Sequence, residues 1–151
     1  MKTIKPAASA ALICLLSACT AVTTLSTTPP GGSVRIGNGA SHNTPREASY
    51  NTRTFGYEEF RADAPGQAPL YGILPLKFNP GYLTASILFF TPAMLYSLRE
   101  VYPEYEFDVA GRQIRFRKNP QEEWQVYVPT EEDARTAQAF FAAQEKPAAK
   151  P

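Results

Sequence analysis

Between Glu104 and Arg117 the chain alternates with a period of two. Tyr105, Phe107 and Val109 are apolar where Glu104, Glu106 and Asp108 are charged; after Ala110-Gly111, Ile114 and Phe116 alternate with Gln113, Arg115 and Arg117. Strict alternation marks half-buried strands. A turn at Ala110-Gly111 sets Phe107 opposite Ile114 and Tyr105 opposite Phe116 on one face. On the other it sets Glu106 opposite Arg115 and Glu104 opposite Arg117. Apolar and charged pairs agree on one register, which fixes a hairpin. Lys118-Asn119-Pro120 turns the chain again, and Trp124, Val126 and Val128 supply a third strand with the indole expected inward. The product is a three-stranded antiparallel meander with one apolar and one charged face.

Helical periodicity follows. Thr130-Glu131-Glu132-Asp133 resembles a capping box, with acids at the positive end of the helix dipole. Ala134, Ala137, Phe140 and Phe141 then recur at helical spacing up to about Ala143, and the phenylalanines are expected to lie on the apolar face of the meander. Upstream, Val34 and Ile36 point inward and Arg35 outward in a short strand between Pro29-Pro30-Gly31-Gly32 and the Gly37-Asn38-Gly39 turn. The prolines at 65, 69, 75 and 80 leave room for one strand, Leu70 to Leu74, short or at an edge.

The most apolar stretch after the leader runs from Phe78 to Leu98 without a charged side chain. About 20 apolar residues suffice to span a bilayer, but Asn79-Pro80-Gly81 and Thr91-Pro92 break the run into shorter helical pieces. A helical hairpin in the core, contact with the membrane interface and a true span are the three readings. The core reading is favoured because the remaining chain offers few large apolar residues. Within the stretch Phe89, Phe90, Met94 and Leu95 form a candidate interaction surface.

The N-terminus has the order of a secretion signal: Lys2 and Lys5, an apolar run, then Leu16-Ser17-Ala18-Cys19. That last tetrad resembles the lipobox of bacterial lipoproteins, with an aliphatic residue, two small residues and a cysteine. The resemblance implies a diacylglyceryl group on the Cys19 sulfur, cleavage before Cys19 and acylation of the new amino group. Residues 1–18 are then the signal peptide and 19–30, rich in Thr, Ser and Pro, a lipidated tether, with a first strand starting inside it as the alternative. Thr20 rather than Asp after the cysteine points to the outer membrane facing the periplasm, with the inner membrane as the alternative.

A second resemblance covers residues 27–65. The Pro-Gly turn at 30–31, the strand to Ile36, the Asn38-Gly39 turn, Thr44-Pro45 and Gly56-Tyr57 before Glu58-Glu59-Phe60 are similar to PEGA domains. Gly32 stands where that family has alanine, and Arg46-Glu47 follow Pro45 where it has an aliphatic residue. The likeness implies an extracytoplasmic β-module that makes contacts and carries no catalytic residues. The fold class expected is thus α+β. A small antiparallel sheet, the C-terminal meander, packs with an apolar helical hairpin and a C-terminal helix, and a PEGA-like β segment precedes them. One such domain occupies 31–143, and 144–151 is a disordered tail.

Composition narrows the function. Fifteen basic and fourteen acidic side chains become one charge negative when Lys2 and Lys5 leave with the signal, so no field draws nucleic acid. Of two cysteines, Cys14 leaves with the signal and Cys19 carries lipid, so no disulfide is available. Fourteen prolines favour short elements. The single histidine, His42, stands in a polar loop without partners for metal or nucleophilic chemistry. Glu104, Glu106 and Asp108 share a face but are expected to pair with Arg115 and Arg117. No catalytic residue, metal or cofactor is assigned. The expected function is a non-enzymatic structural or protein-interaction module, bound to the membrane by its lipid and to an envelope protein. A carbohydrate- or peptidoglycan-binding module, resting on the abundant tyrosines, and a small periplasmic hydrolase are the alternatives.

Overall fold

The computed structural model describes residues 20–51, 57–78 and 99–145. The signal segment, Cys19, the stretch 79–98 with its expected helical hairpin, and the tail from residue 146 lie outside the described residues. Within them the chain is α+β.

The first strand, β1 (Thr20–Thr28), lies where a lipidated tether was expected. Its buried positions are Ala21, Thr23, Leu25 and Thr27. Two of these four carry hydroxyls, so hydropathy does not reveal the alternation, but threonine is β-branched and suits a pleated, half-buried surface. β1 pairs antiparallel with β4 (Arg46–Asn51) and parallel with β9 (Glu104–Asp108). Beyond β9 come β10 (Gln113–Arg117) and β11 (Gln125–Tyr127), giving a five-stranded sheet in the order β11-β10-β9-β1-β4. The expected antiparallel meander is therefore one part of a mixed sheet, with β1 in its interior.

The β9–β10 register is the one the side chains dictate, with Phe107 opposite Ile114, Tyr105 opposite Phe116, Glu106 opposite Arg115 and Glu104 opposite Arg117. The third strand corrects the sequence reading. Tyr127 pairs with Ile114 and packs against the core, so Val126 falls on the outer face and is 55% exposed. Trp124 is not turned inward as expected; the Arg117 guanidinium covers its ring at 4.4 Å. Tyr127 meanwhile donates a hydrogen bond to Asp133 Oδ2 at 2.5 Å. These two contacts set the parity of β11 against its hydropathy.

A second sheet, wholly antiparallel, has the order β3-β2-β5-β6, from β2 (Ser33–Ile36), β3 (His42–Asn43), β5 (Glu59–Asp63) and β6 (Leu70–Ile73). Val34, Ile36, Phe60, Ala62 and Leu70 join Leu25, Tyr105, Phe107 and Ile114 in one core. The Phe60 and Phe107 rings meet at 5.2 Å between the sheets. Gly72 is required beside Phe60, because a Cβ there would come within 2.8 Å of its ring and of Pro129. The two sheets thus supply a core from the described residues, which corrects the expectation that the stretch 78–98 was needed for one. Two short strands, β7 (Lys77–Phe78) and β8 (Arg99–Glu100), pair on either side of that stretch.

The helix α1 (Glu131–Glu145) begins at a reciprocal cap, in which Asp133 N donates to Thr130 Oγ1 at 3.1 Å and Thr130 N donates to Asp133 Oδ2 at 3.1 Å. It does not cover the meander. It packs on β5 and β6, where Phe141 meets the Tyr71 ring at 6.2 Å and the Arg35 guanidinium at 5.2 Å. Arg61 pairs with Glu145 at 2.9 Å. Arg35, Arg61 and Tyr71 point away from the core, so the layers are sheet, sheet and helix.

Two predictions follow from these contacts. Leu25 is 0% exposed, so Leu25→Ala should cost about 2–5 kcal/mol in urea unfolding, whereas a tether residue would cost nothing. Thr23, buried with an unpartnered hydroxyl, should gain about 1 kcal/mol as Thr23→Val in the same assay.

A third prediction concerns pH. The Tyr127 hydroxyl, and after it Thr130, hold the Asp133 carboxyl below its ordinary 3.8. Burial, and then the bond to Asp133, pushes the Tyr127 phenol up from 10.0 to about 12. The depressed carboxyl contributes stability above pH 3.8 that is lost as pH falls through its folded value. The raised phenol contributes below pH 10.0 and is lost as pH rises through about 12. Tyr127→Phe should therefore flatten the acid limb of melting temperature against pH below 3.8, read by circular dichroism.

Candidate functional site

Of the side chains singled out by sequence, Cys19, Phe89, Phe90, Met94 and Leu95 lie outside the described residues. Glu104, Glu106 and Asp108 are described, and they share the outer face of the five-stranded sheet because Tyr105 and Phe107 take the inward positions of β9. Each is held by donors. Glu106 Oε1 accepts from Arg115 Nη2 at 2.5 Å and from Thr28 Oγ1 at 2.5 Å. Glu104 accepts from Arg117 Nε at 2.5 Å. Asp108 accepts from the Gly111 amide at 2.8 Å and from Gln113 Nε2 at 2.9 Å. Proton transfer or metal binding by these carboxylates would first have to break those bonds. Among the described residues no group of three or more His, Cys, Asp or Glu side chains is placed to hold a metal ion.

Across this face each strand brings one chemistry. β1 presents Thr24, Ser26 and Thr28; β9 its carboxylates; β10 Gln113, Arg115 and Arg117; β11 and its flanks Trp124, Val126 and Val128. The registers align them in rows: Thr24, Glu104 and Arg117 in one, and Ser26, Glu106, Arg115 and Val126 in the next. Among the described residues four large hydrophobics are exposed, and Val22, Val126 and Val128 of these belong to this sheet and point away from the core. The fourth is Tyr57. The face is therefore a band of paired charges and hydroxyls flanked by aliphatic side chains, with an indole stacked on an arginine. Exposed aliphatic groups around charges that are already ion-paired, with Arg115 Nε left without a hydrogen-bond partner, suit a protein contact surface.

A second concavity opens on the side where β4 and β2–β3 approach. It encloses about 480 Å³ and is lined by Ile36, His42, Arg46, Tyr50 and Glu58, among others. Burial, and next the charge of Glu58, pushes the Tyr50 phenol up to about 12, with Arg46 opposing. At neutral pH such a phenol stays protonated and acts as a donor, not a base. His42 sits at this wall on β3, half-buried opposite Val34.

No family model, curated protein or solved structure matches the chain. The outer face of the sheet therefore stands on its own geometry. The extent and partners of its β1 column escaped the sequence reading, which had only a strand starting inside the tether as an alternative; the signal available was the β-branched run Thr20 to Thr28, which reads as strand once hydropathy is set aside. The aliphatic column escaped because Trp124, Val126 and Val128 were assigned to the core.

Trp124 is the single tryptophan of the chain, so its fluorescence reports on this face directly. Arg117→Ala removes the stacked cation and should change the emission intensity and quenching accessibility of Trp124. The accompanying loss of stability should be about 1–2 kcal/mol, because the same guanidinium also pairs with Glu104 Oε2 and donates to Pro120 O. An unchanged spectrum would mean that the stack does not persist in solution.

Proposed function

We propose that the protein is a non-enzymatic envelope lipoprotein, anchored through Cys19 in the outer membrane and facing the periplasm. It works by docking a protein partner on the outer face of the five-stranded sheet. The observation that carries the docking surface is the placement of Val22, Val126 and Val128, exposed at 59%, 55% and 59%, on one sheet face whose charges are already paired. Satisfied ion pairs supply register and specificity without leaving an unpaired charge to desolvate, and the aliphatic columns supply the apolar contact. The PEGA likeness of residues 27–65 agrees with a β-module that makes contacts, and the lipobox resemblance supplies the anchor.

A glycan is the second reading, favoured by one observation: Trp124 lies beside Arg117, which is paired with Glu104, an aromatic ring next to hydrogen-bonding groups on an open surface. Photo-crosslinking in intact cells separates the two. A photoreactive residue at Val126 should give a discrete protein adduct, and the same residue at Gln138, on the exposed side of α1, should give none. Adducts that carry only saccharide would move the assignment to the glycan. Equal labelling from both positions would remove this face from consideration. Cys19→Ser should abolish metabolic acyl labelling and release the protein from the membrane fraction.

A further inference from the structure

Strand parity puts four titratable side chains on the inner side of the sandwich at its β3–β4 edge. Leu25 is buried and pairs with Arg46, and Ala21 pairs with Tyr50, so Arg46, Ala48 and Tyr50 share the inner face of β4. His42 pairs with the buried Val34 and takes the inner side of the second sheet. Leu74 N donates to Glu58 O at 2.7 Å, which carries the β5–β6 pairing one residue further and puts Glu58 in phase with the buried Phe60. Elsewhere such inward positions hold Val34, Leu25 or Phe107. Here a histidine, an arginine, a tyrosine and a glutamate surround Ile36 and Ala48, and together they line a cavity of about 480 Å³. Small-molecule sites enclose about 300–1,000 Å³ and combine apolar walls with a few convergent polar groups.

The cavity has a polar axis. A strand rises about 3.4 Å per residue, so Arg46 and Tyr50 stand about 14 Å apart along β4. Glu58 lies toward the Tyr50 end, where its charge acts on the phenol more strongly than that of Arg46 and, after burial, keeps the phenol protonated. Gly37 leaves room for this carboxylate, since a Cβ there would come within 2.7 Å of Glu58 Oε2. The turn at the rim is fixed from beneath: Gly39 N donates to Ile36 O at 3.0 Å, Arg35 Nε to Gly39 O at 3.1 Å, and Gln144 Nε2 of α1 to Asn38 Oδ1 at 2.9 Å. Strand-borne side chains beside a braced turn make a pre-organised site.

Main-chain groups open on the same cavity. Thr24 N donates to Pro103 O at 2.8 Å and Thr28 O accepts from Val109 N at 2.9 Å, so the even residues of β1 address β9 and the odd ones address β4. Their partners Arg46, Ala48 and Tyr50 therefore spend their backbone groups on β1, and Glu47 and Ser49 turn theirs to the outer edge of β4. Among the described residues no strand pairs with that edge, and both Glu47 and Ser49 line the cavity. An open strand edge is a template for an extended peptide.

We propose that this cleft binds a short zwitterionic peptide as an added strand on β4, with its carboxylate on the Arg46 guanidinium and its ammonium beside Glu58. Charge complementarity selects the occupant, because the cavity holds one cation toward one end and a carboxylate toward the other. Glu58 is itself engaged, and the two oxygens of a carboxylate offer about four acceptor sites, so an ammonium adds to its bonds. The Tyr50 hydroxyl donates to a peptide carbonyl between the two ends, and Ile36 and Ala48 take small aliphatic side chains. An extended tripeptide spans about 10 Å, and the arginine side chain covers the remaining distance. The cleft is separate from the docking face, since Val22 and Thr24 point to the other side of the sheet from Leu25 and its partner Arg46.

The test is isothermal titration calorimetry on the full-length protein purified in detergent, with trialanine, N-acetyl-trialanine and trialanine amide as probes at millimolar concentration. Trialanine should bind, and removing either terminal charge should weaken binding about tenfold, the loss of one charge-assisted hydrogen bond. Arg46→Gln should erase the preference for trialanine over its amide and keep that over the N-acetyl form. Glu58→Gln should do the reverse. Because the three probes are compared on the unaltered protein, the charge preference is read even where a variant unfolds. No heat with any probe, equal affinity for all three, or indifference to either terminal charge overturns the proposal. So does a folded Arg46→Gln protein, checked by circular dichroism, that still prefers trialanine to its amide.

Discussion

Residues Thr24 to Thr28 lie along Glu104 to Asp108 in parallel register, and this pairing joins chain segments that sequence alone would leave in separate units. On one side of it stand β4 and the strands of the second sheet; on the other stands the meander. Because β1 also pairs with β4, the whole five-stranded sheet is continuous through this strand. The contact is then sealed from below by Leu25, Phe60, Tyr105 and Phe107 in the common core. A parallel pair needs a long crossover, and here the crossover is the entire second sheet with everything that connects it.

What the sequence made legible follows from how local the determinants are. The β9–β10 hairpin was readable to the individual residue pair because two independent sets of side chains, apolar and charged, select the same register. β2 and β6 were readable from a few alternating residues between turn formers. β1 was not, since its inward face mixes alanine, leucine and two threonines, and its partner lies at the far end of the chain. Thr27 shows why the hydroxyls are tolerated inside: it meets Thr44 Oγ1 at 2.6 Å and accepts from Gly32 N at 3.2 Å, a buried polar cluster that no periodicity reveals. The helix was found, but its face was misassigned. Arg35 was expected to point outward to solvent, yet its guanidinium lies over the Phe141 ring, as that of Arg61 lies over Tyr71.

The candidate site shows the same division. The carboxylates and their arginine partners were visible as cross-strand pairs, and the structure holds them in place. The hydroxyl column beside them and the aliphatic column beyond them became visible only with the order of strands, because neither belongs to the hairpin. Trp124 was placed in the core on hydropathy; the neighbouring guanidinium and the reach of Tyr127 to Asp133 are stronger than that preference.

The position of β1 also bears on the order in which the chain can fold. A chain emerging from its N-terminus exposes β1 first, and β4 is soon available to pair with it, but β9 arrives only after the second sheet and the stretch 79–98 have followed. Until then one edge of β1 has no partner, and unpaired strand edges invite association with other chains. The latest segment to emerge thus closes the earliest, so Thr20 to Thr28 stays an open template for most of synthesis. Any factor that handles the N-terminus therefore meets an extended, half-paired strand and not a finished domain.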